Sequence, residues 1–131
     1  MHCDKNYPFQ KTNGDLDIAL PEGAGDERFL EELESALHQI CKSFDPQAVF
    51  FLAGADPFSG DRLGLLKMTK KGLAKRDQIV IEFARQKGLP LAIAMAGGYA
   101  PNVDDIVDIH FSTVMAALER FKKEHPATAF Q

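Results

Sequence analysis

Tryptophan is absent from the sequence, and only two cysteines and two tyrosines occur among its 131 residues. The cysteines, Cys3 and Cys41, are far apart and form no CxxC pair, which argues against a disulfide scaffold and favours a reducing compartment. Basic charge is not in excess either, because the formal net charge is −4. Binding to nucleic acid needs basic groups that neutralise phosphates, so we expect no nucleic-acid partner.

Long apolar runs are also missing. No run approaches the ~20 residues that cross a bilayer, and the opening MHCDK lacks the pattern of a signal peptide. We therefore expect a cytoplasmic location and no membrane partner. The chain does have 45% hydrophobic residues and ten phenylalanines, which suffice for the core of one domain.

Apolar periodicity predicts strands that alternate with helices. Two short continuous apolar runs, 48–54 and 89–98, are typical of parallel strands covered on both faces. Apolar residues at three- and four-residue spacing predict three helices, over 26–43, 70–87 and 102–122. The order of strand, helix, strand and helix indicates an α/β fold with a parallel sheet.

The two ends of the chain carry weaker signals. Residues 1–14 are rich in polar and turn-forming residues and are predicted to be a loop, with the tail of a strand before it as the alternative for its start. The stretch DLDIAL (15–20) alternates polar and apolar residues, as a short edge strand does. We expect the α/β core to span 15–122, followed by a loose tail over 123–131.

Capping and charge patterns refine the last two helices. Thr69 is predicted to cap the second helix, and Gly88 is predicted to end it. The densest basic stretch, residues 67–76, is interpreted as a solvated helix face. On the third helix, the spacing of apolar residues predicts that Val114 points inward.

A polar residue follows each of the two apolar strands. Asp56 follows the first strand and Tyr99 the second, and ligands of parallel sheets gather beyond the carboxyl ends of the strands. The local sequence leaves three roles open for Asp56: a loop brace, an acid–base residue or a metal ligand. Asp61, in the turn-forming stretch SGDRLG, is interpreted as a loop brace.

Tyr99 comes directly after the glycine pair Gly97 and Gly98. Glycine permits close approach of a substrate, and a tyrosine hydroxyl there would donate a hydrogen bond to a developing oxyanion. Simple packing over the end of the sheet is the alternative role. A phosphate site is disfavoured because neither GxGxxG nor P-loop spacing is present. The four histidines lack metal-ligand spacing and are assigned to core or surface roles.

Three motifs in a fixed order resemble the C-terminal half of the histone deacetylase superfamily. They are LAGADPFSGDRLG (52–64), KMTKKGLAKRD (67–77) and GGY (97–99). The opening MHCDKNYPFQKTNGDLDIALPEGAGDERFLEEL resembles a segment of the bacterial and class IV-like members. The resemblance extends over about residues 1–118.

This resemblance implies a three-layer, arginase-like α/β fold with a catalytic zinc ion, of which the chain holds the C-terminal portion. It assigns Asp56 as one of three zinc ligands and Tyr99 as the residue that polarises the acetyl carbonyl. Support of the loops and the substrate channel is assigned to four neighbours: Gly97, Gly98, Asp61 and Arg62.

Two further zinc ligands, in a DxDxHxGNG-type motif, and a general-base histidine pair are expected in the family but do not occur in this sequence. We therefore expect a fragment that binds zinc weakly and is inactive alone. Half of an α/β sheet also leaves an open edge and an uncovered apolar face, so we expect pairing with a missing N-terminal half or self-association. The reaction implied for the complete domain is hydrolysis of acetyl-lysine or an acetylated polyamine. A non-catalytic α/β remnant or interaction module is the alternative, and the missing phosphate loop disfavours a nucleotide-binding domain.

Overall fold

The computed structural model describes residues 1–124, which form three helices and four strands. The helices are α1 (Asp26–Ser43), α2 (Lys70–Gln86) and α3 (Val103–Glu124). The strands are β1 (His2–Cys3), β2 (Ala19–Leu20), β3 (Val49–Gly54) and β4 (Leu91–Ala96). The three helices and the two longer strands lie where periodicity predicts them, to within two residues at each end.

The strands form two separate parallel pairs, β1 with β2 and β3 with β4. The longer pair runs in register from Val49 opposite Leu91 to Gly54 opposite Ala96. Helix α2 connects β3 to β4 and provides the crossover that parallel neighbours require. The predicted α/β class with a parallel sheet is confirmed.

The predictions for the chain ends need correction. The two-residue β1 at the start of residues 1–14 agrees with the alternative of a strand tail before the loop. Only the last two residues of the predicted strand over 15–20 are paired. A pairing of two residues is too short to produce a readable alternation in the sequence. Helix α3 continues to Glu124, two residues into the predicted tail, and residues 125–131 lie outside the described range.

Helices α1 and α3 both pack against α2. The largest fully buried side chains are apolar with one exception, Asp77: Leu20, Met68, Leu73, Asp77 and Cys3. The Thr69 hydroxyl accepts a hydrogen bond from the Gly72 amide at 3.0 Å, which confirms the predicted cap of α2. Within residues 1–124, no helix combines the length and apolar character that a membrane span requires.

The two faces of the β3–β4 sheet differ in their covering. Val49 and Phe51 pack against the core, whereas Phe50 and Leu52 on the opposite face are 82% and 71% exposed. We call this second surface the open face; its residues are Phe50, Leu52, Ala92 and Ala94. The apolar pattern of β3 and β4 is that of strands covered on both faces, but within residues 1–124 one face stays exposed, as expected for one part of an α/β sheet.

Candidate metal and substrate site

Asp56 lies just past the carboxyl end of β3, where the chain leaves the sheet. Its amide and the amide of Ala55 both donate to the carbonyl of Gly97, at 3.1 and 2.5 Å, and join the ends of β3 and β4. A methyl group added at Gly54 would lie 2.3 Å from Asp56 Oδ1, and one added at Gly97 would lie 3.3 Å from it. The Asp56 carboxylate therefore occupies a space that two glycines leave open.

The Asp56 side chain is half-buried and makes no hydrogen bond or ion pair with any residue of the described range. The side chain does not brace its own loop. It is instead available to a cation or a proton donor that approaches the carboxyl end of the sheet.

Asp61 has the opposite environment, although it lies in the same loop. It is only 7% exposed. Its Oδ1 accepts the amides of Leu63 and Gly64 at 2.8 and 2.7 Å, and its Oδ2 accepts the amide of Tyr99 at 2.6 Å. One carboxylate thus closes the strand-end loop, residues 56–64, and fastens it to the segment that follows β4.

The backbone of Tyr99 is held on both sides. Asp61 accepts its amide, and Arg62 Nε donates to its carbonyl at 3.1 Å. Close packing requires glycine at the preceding position, because a methyl group at Gly98 would lie 2.9 Å from Cβ of Ala55. The Tyr99 side chain remains 50% exposed. The strand-end loop therefore fixes the main chain of Tyr99 while its phenol stays accessible.

Within residues 1–124, no group of three or more His, Cys, Asp or Glu side chains is arranged to hold a metal ion. Asp56 offers one carboxylate, and zinc sites in proteins use three or four protein ligands. Asp56 therefore supplies one of the ligands that a zinc site needs. The other ligands would have to come from outside the described residues.

Arg76 is a residue whose role the sequence did not predict. The basic stretch 67–76 suggested a solvated face, but Arg76 is only 4% exposed. Its Nη1 donates to the carbonyl of Gly54 at 2.7 Å, and its Nε donates to Asp77 at 2.8 Å. Its guanidinium carbon also lies 5.4 Å from the centre of the Phe51 ring. In the sequence, the one sign of a buried ion pair is Asp77, the acid that directly follows the basic stretch.

A groove separates β1 from β3 and has a volume of about 1180 Å³. We call it the β1–β3 groove; its lining includes residues of both strands together with Asp56 and Arg76: His2, Cys3, Val49, Phe50, Phe51, Leu52, Gly54, Asp56 and Arg76. The amides of Val49 and Ala55 donate towards β4, so the alternate residues of β3 direct their backbone groups to the other edge. These residues are Phe50, Leu52 and Gly54.

Comparison with known proteins identifies the family. The model of the histone deacetylase domain matches residues 2–114. An uncharacterized protein of Picosynechococcus sp. is 43% identical over 110 residues, which cover 84% of this chain and 37% of that protein. Histone deacetylase 2 of Arabidopsis thaliana is 35% identical over 102 residues, 76% of this chain and 26% of that protein. The chain belongs to the histone deacetylase family.

The comparison with solved structures concerns the fold. The crystal structure of acetylpolyamine aminohydrolase from Burkholderia pseudomallei matches with a TM-score of 0.71 at 19% identity, over 87% of this chain and 34% of that chain. At this identity the likeness concerns the fold. The expected deacetylase-type α/β fold is confirmed for part of a domain. The chain spans between about a quarter and just over a third of the length of these three proteins.

Proposed function

We propose that this chain is the C-terminal part of a zinc-dependent deacetylase, to which it contributes one zinc ligand, Asp56, and the oxyanion-stabilising Tyr99. The observation that carries the proposal is the Asp56 carboxylate at the carboxyl end of the sheet, which has no partner among residues 1–124. Asp56 is the aspartate of the Gly-Ala-Asp sequence at 54–56, which the resemblance assigns to the metal. Membership of the histone deacetylase family supports the assignment.

The proposed substrate is acetyl-lysine or a related acetylated amine. The names of the relatives support this class, since one is a histone deacetylase and one an acetylpolyamine aminohydrolase. A bound zinc ion polarises an amide carbonyl and activates water for attack. Asp56 would hold one position of the metal, and the Tyr99 hydroxyl would donate a hydrogen bond to the carbonyl oxygen as negative charge develops on it.

The neighbours of Tyr99 support the same reaction through preorganisation. Asp61 and Arg62 fix the Tyr99 main chain from both sides, so the backbone that carries the phenol needs little rearrangement when the oxyanion forms. Gly97 and Gly98 keep the wall of the site thin, because side chains at either position would crowd Asp56 or Ala55. Both features lower the cost of bringing the acetyl group to the reacting atoms.

The proposal includes a partner, namely the remaining part of a deacetylase domain. The free edge of β3, the open face and the β1–β3 groove support it, because unpaired strand edges and apolar faces associate with further strands and helices. The relatives also have the necessary extra length, since this chain matches 37% of the Picosynechococcus protein. That partner would supply the other zinc ligands and the general base.

The test is hydrolysis of fluorogenic acetyl-lysine and acetylated polyamine. It compares this chain alone with this chain mixed with the part of the Picosynechococcus relative that precedes the matched segment. We expect activity in the mixture only. Tyr99→Phe should lower kcat by about 10²- to 10³-fold, as the loss of one oxyanion donor does, and Asp56→Asn should abolish zinc-dependent turnover.

Two control variants make the same kinds of substitution at positions outside the site. Tyr7→Phe alters the other tyrosine of the chain, and Asp45→Asn alters an exposed aspartate outside the site. Both should leave kcat unchanged. Turnover by this chain alone would contradict the need for a partner. Demonstrated pairing of the two parts without zinc or turnover would favour the non-catalytic interaction module.

A further inference from the structure

We propose that Arg76 is a positioning residue for Asp56: it fixes the end of β3 through the Gly54 carbonyl and thereby sets the direction of the carboxylate. The inference rests on the proposed role of Asp56 as a metal ligand. Its first observation is the 2.7 Å hydrogen bond from Arg76 Nη1 to the Gly54 carbonyl, two residues before Asp56.

The Gly54 carbonyl occupies a particular place on the strand. The next residue, Ala55, donates its amide towards β4, so Gly54 directs its backbone groups to the free edge. Gly54 is buried, and a buried carbonyl without a partner is costly. Glycine also restrains its backbone less than any other residue. Arg76 therefore provides the Gly54 carbonyl with a hydrogen-bond donor and restrains the backbone at this glycine.

A buried network holds Arg76 itself in place. Its Nε and Nη2 both lie 2.8 Å from Asp77 Oδ1, and the Thr113 hydroxyl donates to Asp77 Oδ2 at 2.5 Å. All three side chains belong to residues with exposures between 0% and 4%. Because Asp77 is on α2 and Thr113 on α3, the network connects both helices to the end of β3.

Stability alone does not explain this arrangement. Buried ion pairs are often no more stabilising than apolar residues of the same volume. The pair nevertheless directs one guanidinium nitrogen out of the helix layer and onto the strand that carries Asp56. Partners of this kind, one step behind a metal ligand, typically orient the ligand and tune the affinity of the site.

The test uses variants that keep the protein folded. The double substitution Arg76→Met with Asp77→Asn removes both charges, so no carboxylate is left buried without a counter-ion. Arg76→Lys keeps the charge but loses the planar fork that reaches two acceptors. Arg85→Met is the matched control, because it removes an arginine of α2 that pairs with Glu82 at the surface.

The first readout is hydrogen exchange of the Asp56 amide in this chain alone, at matched global stability. That amide donates to Gly97 and reports on local opening of the strand end. We expect exchange to be roughly tenfold faster in the double variant, intermediate in Arg76→Lys and unchanged in Arg85→Met. Equal exchange in the double variant and the wild type would overturn the proposal.

The second readout is zinc affinity in the mixture of the two domain parts. We expect a loss of about 10- to 100-fold in the double variant, the range found when partners of metal ligands are removed. Unchanged affinity would contradict a positioning role. If the wild-type mixture binds no zinc, the proposed function fails, and faster exchange would then identify Arg76 as a brace of the strand end only.

Discussion

The carboxyl end of β3 and its free edge, the edge opposite β4, differ in the contacts that the rest of the chain makes with them. At the carboxyl end, Asp61 accepts three backbone amides and Arg76 holds the Gly54 carbonyl. Along the strand, Phe50 and Leu52 are 82% and 71% exposed, and their backbone groups face the β1–β3 groove. The contacts at the carboxyl end of β3 all come from this chain, whereas within residues 1–124 no strand pairs with the free edge of β3.

This difference separates two requirements of the fold. The geometry around Asp56 and Tyr99 depends on contacts among the strand-end loop, the end of β4 and α2, all of which the chain contains. The covering of the sheet depends on elements that the chain does not provide within residues 1–124. Half of the proposed site is therefore preformed, while the surface that would receive the remainder stays open.

Removal of the Asp61 carboxylate should have the largest effect. Asp61→Ala leaves the amides of Leu63, Gly64 and Tyr99 without their acceptor, and each bond to a charged group contributes about 1.5–3 kcal/mol. We expect the free energy of unfolding to fall by about 3 kcal/mol or more in chemical denaturation. Asp17→Ala is the control, since exposed Asp17 accepts one amide, that of Gly14. Equal losses of unfolding free energy in the two variants would contradict the role of Asp61 as a loop brace.

A methyl group at Gly64 should have the next largest effect. It would lie 2.1 Å from the carbonyl oxygen of Asp56, so the strand-end loop would have to shift. We expect Gly64→Ala to cost about 1–3 kcal/mol, the usual range for overpacking. Gly14→Ala is the matched control, because its nearest neighbour atom lies at 3.4 Å. The close approach is refuted if both variants unfold at the same denaturant concentration.

The open face should govern association more than stability. The double substitution Phe50→Ser with Leu52→Thr should lower self-association in analytical ultracentrifugation, because it removes the two largest apolar side chains of that face. The free energy of unfolding should change by no more than about 0.5 kcal/mol, as at other exposed positions. Phe111→Ser removes an exposed phenylalanine of α3 as a control. A stronger effect of Phe111→Ser would place the contact on α3 instead.

The smallest expected effect concerns Glu82, a surface carboxylate on α2 that belongs to neither region of β3. Hydrogen bonds from Arg85 lower the pKa of the Glu82 carboxyl from 4.5 to about 2. Because the folded-state pKa is lowered, the stabilisation is present above pH 4.5 and is lost as the pH falls towards 2. Glu82→Gln should therefore be less stable than the wild type at pH 7 by a small margin that closes over this window. A margin in thermal unfolding that stays constant over this pH window would contradict the lowered pKa of Glu82.

Features with a local cause could be predicted from the sequence. Helix boundaries follow from apolar spacing, and the cap by Thr69 and the positive φ of Gly88 involve neighbouring residues only. The positions of Asp56 and Tyr99 at the carboxyl ends of adjacent strands follow from strand order alone. These predictions needed no knowledge of tertiary contacts.

Features with distant partners could not be predicted in this way. The turn-forming stretch around Asp61 predicts a local brace, but it does not reveal the third amide that Asp61 accepts, that of Tyr99, 38 residues away. The same holds for α3, where Thr113 is buried against Asp77 and the predicted inward residue, Val114, is 56% exposed. Arg76 was misassigned because its acceptors lie on β3 and in the next residue, Asp77.

The central claim is that Asp56 completes a zinc site shared between two parts of a deacetylase domain. The most direct measurement is a zinc titration of this chain mixed with the preceding part of the Picosynechococcus relative, in parallel with the Asp56→Asn variant. We predict one zinc ion per pair, an affinity at least about 100-fold lower with Asp56→Asn, and no stoichiometric binding by this chain alone. Equal zinc affinity in the wild type and Asp56→Asn would contradict the claim.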